Sequence, residues 1–149
     1  MLLTPHAVTG ATIGALVPYP ALAIPLAIGS HYLLDMVPHW QETLPPYTPH
    51  KGTWIRAPID LGLGIGLVRV IARSRGDRTA TIWLAAAAAL APDLDSLAHA
   101  IPSSNESGTL VRRYLRWHVK IQRETPSLLG LLPQILLVLL CLDWTKRRR

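Results

Sequence analysis

Two long stretches of this chain carry no Asp, Glu, Lys or Arg: residues 1–34 and residues 125–142. A helix on the surface of a water-soluble domain shows charge along its outward face, and neither stretch does. Pro18-Tyr19-Pro20 interrupts the first. It therefore reads as two helices, over about residues 5–17 and 21–37, joined by a tight turn. Asp35, Pro38 and His39 close the second helix, and a polar, proline-rich loop over about 38–56 follows. A third helix is expected over about 57–72, with Asp60 near its start and Arg69 near its end. After the turn Arg73-Ser74-Arg75-Gly76-Asp77-Arg78, a fourth begins near Thr79 and reaches Pro92-Asp93-Leu94-Asp95 and His99. An amphipathic helix fits about 109–124. Pro126 opens the last apolar helix, to about Trp144, and residues 145–149 form a basic tail. The expected fold is all-α: a polytopic membrane bundle of about five hydrophobic helices plus one amphipathic interfacial helix, in one domain over residues 1–149. The first helix is short for a bilayer that takes about 20 residues per span.

Composition and charge sharpen this picture. Half of the 149 residues are apolar and 16% are charged, which argues against disorder. The single cysteine excludes a disulfide framework and any cysteine-cluster metal centre. A net charge of +6 would suit nucleic acid, but the positive residues crowd into loops and tail, so no nucleic-acid partner is expected. The N-terminal stretch lacks the basic region of a cleavable signal. Arg69, Arg73, Arg75, Arg78 and the terminal cluster fall at one end if every helix crosses. That end is expected in the cytoplasm, giving a multi-pass inner-membrane protein with its tail inside. Trp40, Trp54, Trp117 and Trp144 read as interfacial anchors. Gly10/Gly14 and Gly62/Gly66 would let helices approach closely in lipid. Membrane lipids are the expected partner, and a homo-oligomer is admitted.

Alternating crossings place the start of the first helix, the end of the second, the start of the third, the end of the fourth and the start of the last at one face. His6, Asp35, His39, Asp60, Asp93, Asp95, His99 and Glu124 stand at those places, with His50 and His118 beside them. All six histidines thus converge there. Ionisable groups near a membrane are costly and are functional candidates by default. His31 and Asp35 are four apart on one helix face, and Asp95 and His99 repeat that relation, as chelation by a helix needs. Pro92 leaves the carbonyl of Ala88 without its helical partner. Mixed imidazole and carboxylate ligands suit zinc first, with manganese or iron as alternatives.

On the amphipathic helix, Leu110, Tyr114, Leu115, Trp117 and Ile121 form one face, and Arg112, Arg113, Arg116, Lys120 and Arg123 the other. His118 projects from the middle of the apolar face with Gln122 one turn on, and a polar pair turned inward needs a partner there. Blander roles stand beside these. A lone histidine on an apolar face is commonly a hydrogen-bonded core residue, His50 suits an ordinary loop, and Asp60 suits a cap on the third helix through the helix dipole. Asp93 and Asp95 could pair with the arginines of the amphipathic helix. Cys141 suits packing.

Thr4-Pro5-His6 with Gly10, then Ser30-His31-Tyr32-Leu33-Leu34-Asp35-Met36-Val37-Pro38-His39, then Pro92-Asp93-Leu94-Asp95, resembles the small bacterial membrane proteins described as predicted membrane-bound metal-dependent hydrolases, the YdjM/YbcI-like group. The resemblance covers most of the chain, and the His-x-x-x-Asp-x-x-Pro-His segment is its most specific part. It implies a multi-helix inner-membrane protein with His/Asp metal ligands and hydrolytic activity, the matching positions being His6, Asp35, His39, Asp93 and Asp95. The chain departs from the family in two places: Ser96 follows Asp95 where members often have histidine, and Pro126 stands in the match to their His-Arg…Thr-His-Ser element.

The expected function is a metal-dependent hydrolase at the membrane surface, acting on phosphoester or lipid-derived substrates. Its expected metal ligands are drawn from His6, His31, Asp35, His39, Asp93, Asp95 and His99. His118 or Glu124 is the expected general base, and Arg112, Arg113 and Arg116 would attract anionic head groups. The alternative is a non-enzymatic membrane protein that binds a divalent metal or uses the His/Asp cluster structurally.

Overall fold

The computed structural model describes residues 1–41, 52–94 and 109–147. Its helices are α1 (Leu3–Leu16), α2 (Pro20–Asp35), α3 (Thr53–Arg73), α4 (Thr79–Leu90), α5 (Thr109–Ile121) and α6 (Ser127–Arg147), with 3-10 turns at Gly76–Arg78 and Ala91–Asp93. Among the described residues there is no strand, and a lone bridge pairs His39 with Glu124. The chain is all-α. His50, Asp95 and His99 lie outside the described residues, as does the end of the tail.

The number of membrane spans differs from expectation. Among the described residues, only Ser127–Arg147 is long and apolar enough to cross a membrane by length and composition. The helices α1, α2 and α4 have 14, 16 and 12 residues, below the roughly 20 that a straight span takes. The 21 residues of α3 include Arg56, Asp60, Arg69 and Arg73, which lower its hydropathy.

The helices pack around α1, which touches α2, α3, α4 and α6. Small side chains make this possible. The core is built on Ala7, Ala11, Ala15, Ala72 and Ala86 around Val8, Val68, Ile71 and Ile82, with a second cluster of Ala23, Ala27, Ala85 and Ala89. A Cβ on Gly10 would lie 2.5 Å from the Ala85 carbonyl oxygen, and one on Gly14 2.7 Å from Ile82 Cα. The expected Gly10/Gly14 contact therefore fixes α1 against α4. Among the described residues, Gly62 and Gly66 face open space. Large apolar side chains point outward instead: Leu22, Leu26 and Leu33 on α2, Ile55, Ile59 and Leu63 on α3, and Leu128, Leu132, Leu136 and Leu139 on α6 are all more than half exposed.

The two ends of the bundle differ chemically. At one, Arg78 Nη1 donates to the Ala15 carbonyl (2.7 Å), Thr81 Oγ1 to Pro18 (3.3 Å) and Arg75 Nη2 to Thr145 (3.4 Å). Cations thus meet the unpaired carbonyls at the ends of α1 and α6. At the other end, Asp60 accepts from the backbone nitrogens of Leu3 (2.6 Å) and Thr4 (3.3 Å), while Thr4 Oγ1 donates to the Asp60 carbonyl (2.7 Å). Asp60 is a cap, but of α1 rather than of its own helix. The reason is that α3 starts at Thr53, four residues before the expected start, which leaves Asp60 two turns inside it.

Replacing Gly14 with Val should lower the stability of the detergent-solubilised chain by about 1–3 kcal/mol through overpacking, whereas Gly62→Ala should leave it unchanged or raise it slightly. Thermal unfolding followed by circular dichroism separates the two. Asp60→Ala should cost about 1–2 kcal/mol by uncapping α1, measured in the same way.

Candidate metal centre

The candidate centre forms where α1, α2, the end of α4 and α5 meet. Asp35, the last residue of α2, is fully buried. Its Oδ2 lies 3.1 Å from His118 Nε2 and 3.2 Å from His31 Nε2. Its Oδ1 lies 3.2 Å from His6 Nε2 and 2.9 Å from the Met1 nitrogen. The i, i+4 spacing on α2 delivers His31 and Asp35 together.

Local chain geometry supplies the rest. Pro92 ends the regular turns of α4 at Leu90 and sets the 3-10 turn that carries Asp93. The Ala88 carbonyl accepts from Ala91, so it is not left open as expected. The carbonyl turned toward the centre is that of Ala89, 2.8 Å from His31 Nδ1. The end of α5 is tied to the end of α2 by backbone hydrogen bonds: Arg123 N to the Asp35 carbonyl (3.2 Å), His39 N to Arg123 (2.9 Å) and Thr125 N to His39 (2.8 Å). These hold α5 in register, so that its inward His118, 2% exposed, meets Asp35. The hydroxyls of Tyr32 and Tyr114, 3.0 Å apart, close one side.

A carbonyl oxygen only accepts, so His31 Nδ1 carries a proton, and in the neutral ring Nε2 presents its lone pair. That lone pair faces His118 Nε2 at 3.2 Å, Asp35 Oδ2 at 3.2 Å and Asp93 Oδ1 at 3.6 Å. One ligand atom from each of His31, Asp35, Asp93 and His118 lies within 4.8 Å of the others. Asp93 Oδ2 is buried and has no hydrogen-bond partner among the described residues. Such a group needs a hydrogen between its members or a metal ion: the Nε2–H of a neutral His118 would donate to Asp35 Oδ2, and an ion would draw on all four ligand atoms. Bonds of about 2.0–2.1 Å to a tetrahedral ion set neighbouring ligand atoms roughly 3.3 Å apart. The closest contacts in the group match that spacing. Burial raises the Asp93 carboxyl above its ordinary value.

The sequence-predicted residues fall into three sets. His31, Asp35 and Asp93 come together, joined by His118, expected as a base, whose Nε2 lies among their ligand atoms. His6 adjoins them, stacked on His31 with ring centroids 4.0 Å apart. His39 and Glu124 stand aside. His39 is fully buried, but its Nδ1 donates to the Val37 carbonyl (2.7 Å) and its Nε2 lies 3.4 Å from Gln41 Oε1. Glu124 pairs with His39 through the backbone, and its side chain is exposed. Gln122 finds its inward partner in Gln41, whose Nε2 donates to Gln122 Oε1 at 2.9 Å.

Gln134 is a supporting residue that the sequence pattern did not single out. It accepts from Leu2 N (3.0 Å) and donates to the carbonyls of Trp40 (2.7 Å) and Gly130 (2.8 Å), pinning the start of α6 to this end of the bundle. Its signal was available: it is the one amide in the apolar run of α6. In comparisons with known proteins, no family model, no curated protein and no solved structure matches this chain.

Burial lowers the pKa of His39 and holds its ring neutral. The unfolded chain takes up a proton near pH 6.5, so the stability that His39 contributes is present above that pH and fades below it. The stability difference between wild type and His39→Gln should therefore shrink as the pH falls from 7.5 to 5, measured by thermal unfolding across that range.

Proposed function

We propose that this chain is a multi-pass inner-membrane metalloprotein in which His31, Asp35, Asp93 and His118 bind a divalent ion, zinc first, and that it hydrolyses phosphoester or lipid-derived substrates at the membrane surface. Membership of the membrane-bound metal-dependent hydrolases is part of the same proposal. The observation that carries it is the convergence of four ligand atoms within 4.8 Å of one another, with His31 oriented by the Ala89 carbonyl. An outer partner of that kind fixes the tautomer of a ligating imidazole.

A membrane setting is supported by the inverted partition of side chains. Alanines fill the interior, while α2, α3 and α6 turn leucine and isoleucine outward. Contiguous apolar surface of that extent needs a cover. Short helices are accommodated when the bilayer thins locally or the helices are flanked by anchors. Trp54, Trp117 and Trp144, all well exposed, suit such anchoring. The basic end bearing Arg73, Arg75, Arg78 and Lys146 would face the cytoplasm, with the His/Asp end on the other side.

A divalent ion in this group would supply a Lewis acid that polarises an ester or phosphoryl oxygen and lowers the pKa of water toward 7. The residues themselves divide the remaining work. His31 and His118 are held by α2 and α5, and Asp35 stays charged among imidazoles. Asp93, with a side chain 17% exposed and an unpartnered Oδ2, is the least buried member of the group, and it would accept the proton of an attacking water. Arg113, Arg116 and Lys120 lie exposed on α5 above the group, placed to attract anionic head groups.

A non-enzymatic reading has one observation in its favour. A neutral His118 with its hydrogen on Nε2 would also satisfy the contact to Asp35 Oδ2, because that N–H donates where a metal would bind. Metal content separates the two. Detergent-purified chain should carry stoichiometric zinc or manganese that Asp35→Ala and His31→Ala lose. Metal-stripped protein should regain phosphodiesterase or phospholipase turnover on reloading, and Asp93→Asn should reduce that turnover by about 10²–10⁴-fold. Wild type that neither contains nor takes up metal would overturn the proposal.

A further inference from the structure

The proposed centre is closed. His31 and Asp35 are fully buried, His118 is 2% exposed, and Oδ2 of Asp93, the least buried member, is itself buried. Four protein ligands fill the coordination of a tetrahedral ion, whereas an ion that does chemistry has three and keeps a position open for water and substrate. Hydrolysis there calls for a free position and for a way in. Three of the four ligands sit on the packed bundle, His31 and Asp35 on α2 and Asp93 in the turn that follows α4. His118 alone comes from α5, which, among the described residues, packs principally on α2.

The attachment of α5 is uneven. Past its C-terminal end, backbone hydrogen bonds run from Arg123 N to the Asp35 carbonyl and from Thr125 N to that of His39. Its middle rests on Tyr32: the Tyr114 and Tyr32 hydroxyls meet at 3.0 Å, and the Trp117 and His118 rings stand 5.2 and 5.5 Å from the Tyr32 ring. Toward its N-terminal end, Leu110 is 77% exposed, and Trp117 is exposed as well. With about 3.6 residues per turn, Leu110 and Trp117 share one flank of the helix, while Arg113, Arg116 and Lys120, all exposed, stand opposite His118. An apolar flank below a cationic face is the pattern of a helix that lies at the head-group boundary of an anionic bilayer.

We infer that α5 is a lid, that His118 is the ligand it withdraws, and that an anionic bilayer surface is the partner that draws it open. The tie at Arg123 and Thr125 is the pivot. Seated, α5 closes a four-ligand site. Drawn to the head groups, it buries Leu110 and Trp117 at the acyl boundary and sets Arg113, Arg116 and Lys120 among lipid phosphates. The ion then keeps His31, Asp35 and Asp93, with one position free. The inference rests on the metal reading above and adds the route of access, which is from the lipid surface. Because His118 binds the ion only in the seated state, ion and bilayer compete for α5, and each weakens the other by the same factor.

Full-length chain is placed in nanodiscs of phosphatidylcholine, with or without phosphatidylglycerol, stripped of metal and titrated with Co²⁺, whose visible spectrum reports ligand number. A nitrobenzoxadiazole label on Leu110→Cys, in a Cys141→Ala background, reports burial in lipid. Anionic discs should weaken Co²⁺ binding about 5–150-fold relative to their effect on His118→Ala, which has no ligand on α5 and corrects for ions gathered by lipid charge. The label should shift to the blue in anionic discs and return when Co²⁺ is added. An equal lipid effect on wild type and His118→Ala would overturn the withdrawn ligand. A label that ignores both lipid charge and Co²⁺ would overturn the lid, even if that variant does not fold. Either result leaves the metal reading standing, whereas no bound Co²⁺ in either disc would overturn that reading and the inference with it.

Discussion

A carboxylate taken wholly out of water must be met by charge or by hydrogen bonds, because its desolvation costs several kcal/mol. Asp35 is such a group, and its surroundings are organised by that requirement. From α1 comes His6, from α2 its own neighbour His31, and from α5 His118, all within 3.2 Å. The backbone carbonyl of the same residue accepts from Arg123, so the docking of α5 and the neutralisation of Asp35 are one event. Elements far apart in sequence therefore register on a single side chain. An error in any of them would leave a buried charge exposed to apolar surroundings.

The remainder of the bundle makes that meeting possible. Alanine and glycine along α1 and α4 bring backbones close enough for short helices to share a small interior. With small residues inside, the bulky apolar residues have no place except outside. The interior consequently supplies little of the large-side-chain burial that stabilises a water-soluble domain. Polar groups concentrate at the ends: arginines on helix carbonyls at one, and Asp60, Gln134, Gln41 and the His/Asp group at the other. The His/Asp group at one end and cation capping at the other follow from the same arrangement of α1 between its neighbours.

Much of the candidate site was legible because it depends on helical periodicity. The i, i+4 step from His31 to Asp35 and the inward place of His118 among apolar neighbours are properties of a helix alone. The break at Pro92 is equally local. What periodicity cannot supply is the partner across an interface. Asp60 looks like a cap from its position near a helix start, but which helix it caps depends on the approach of α1. The Ala89 carbonyl became the partner of His31 because α2 and α4 pack side by side there. Glu124, in the right segment for a base, turns outward because backbone pairing with His39 fixes its strand-like face.

Sequence by itself determined the helices, the separation of a basic end from a His/Asp end, and the list from which candidate ligands are drawn, since all of these rest on the repeat and polarity of consecutive residues. Tertiary structure alone decided which imidazoles meet Asp35, and on which of its two oxygens. That choice rests on the rotation and approach of neighbouring helices, set by contacts as small as Gly10 and Gly14 against α4. No pattern along one helix encodes such a quantity, because it belongs to pairs of helices.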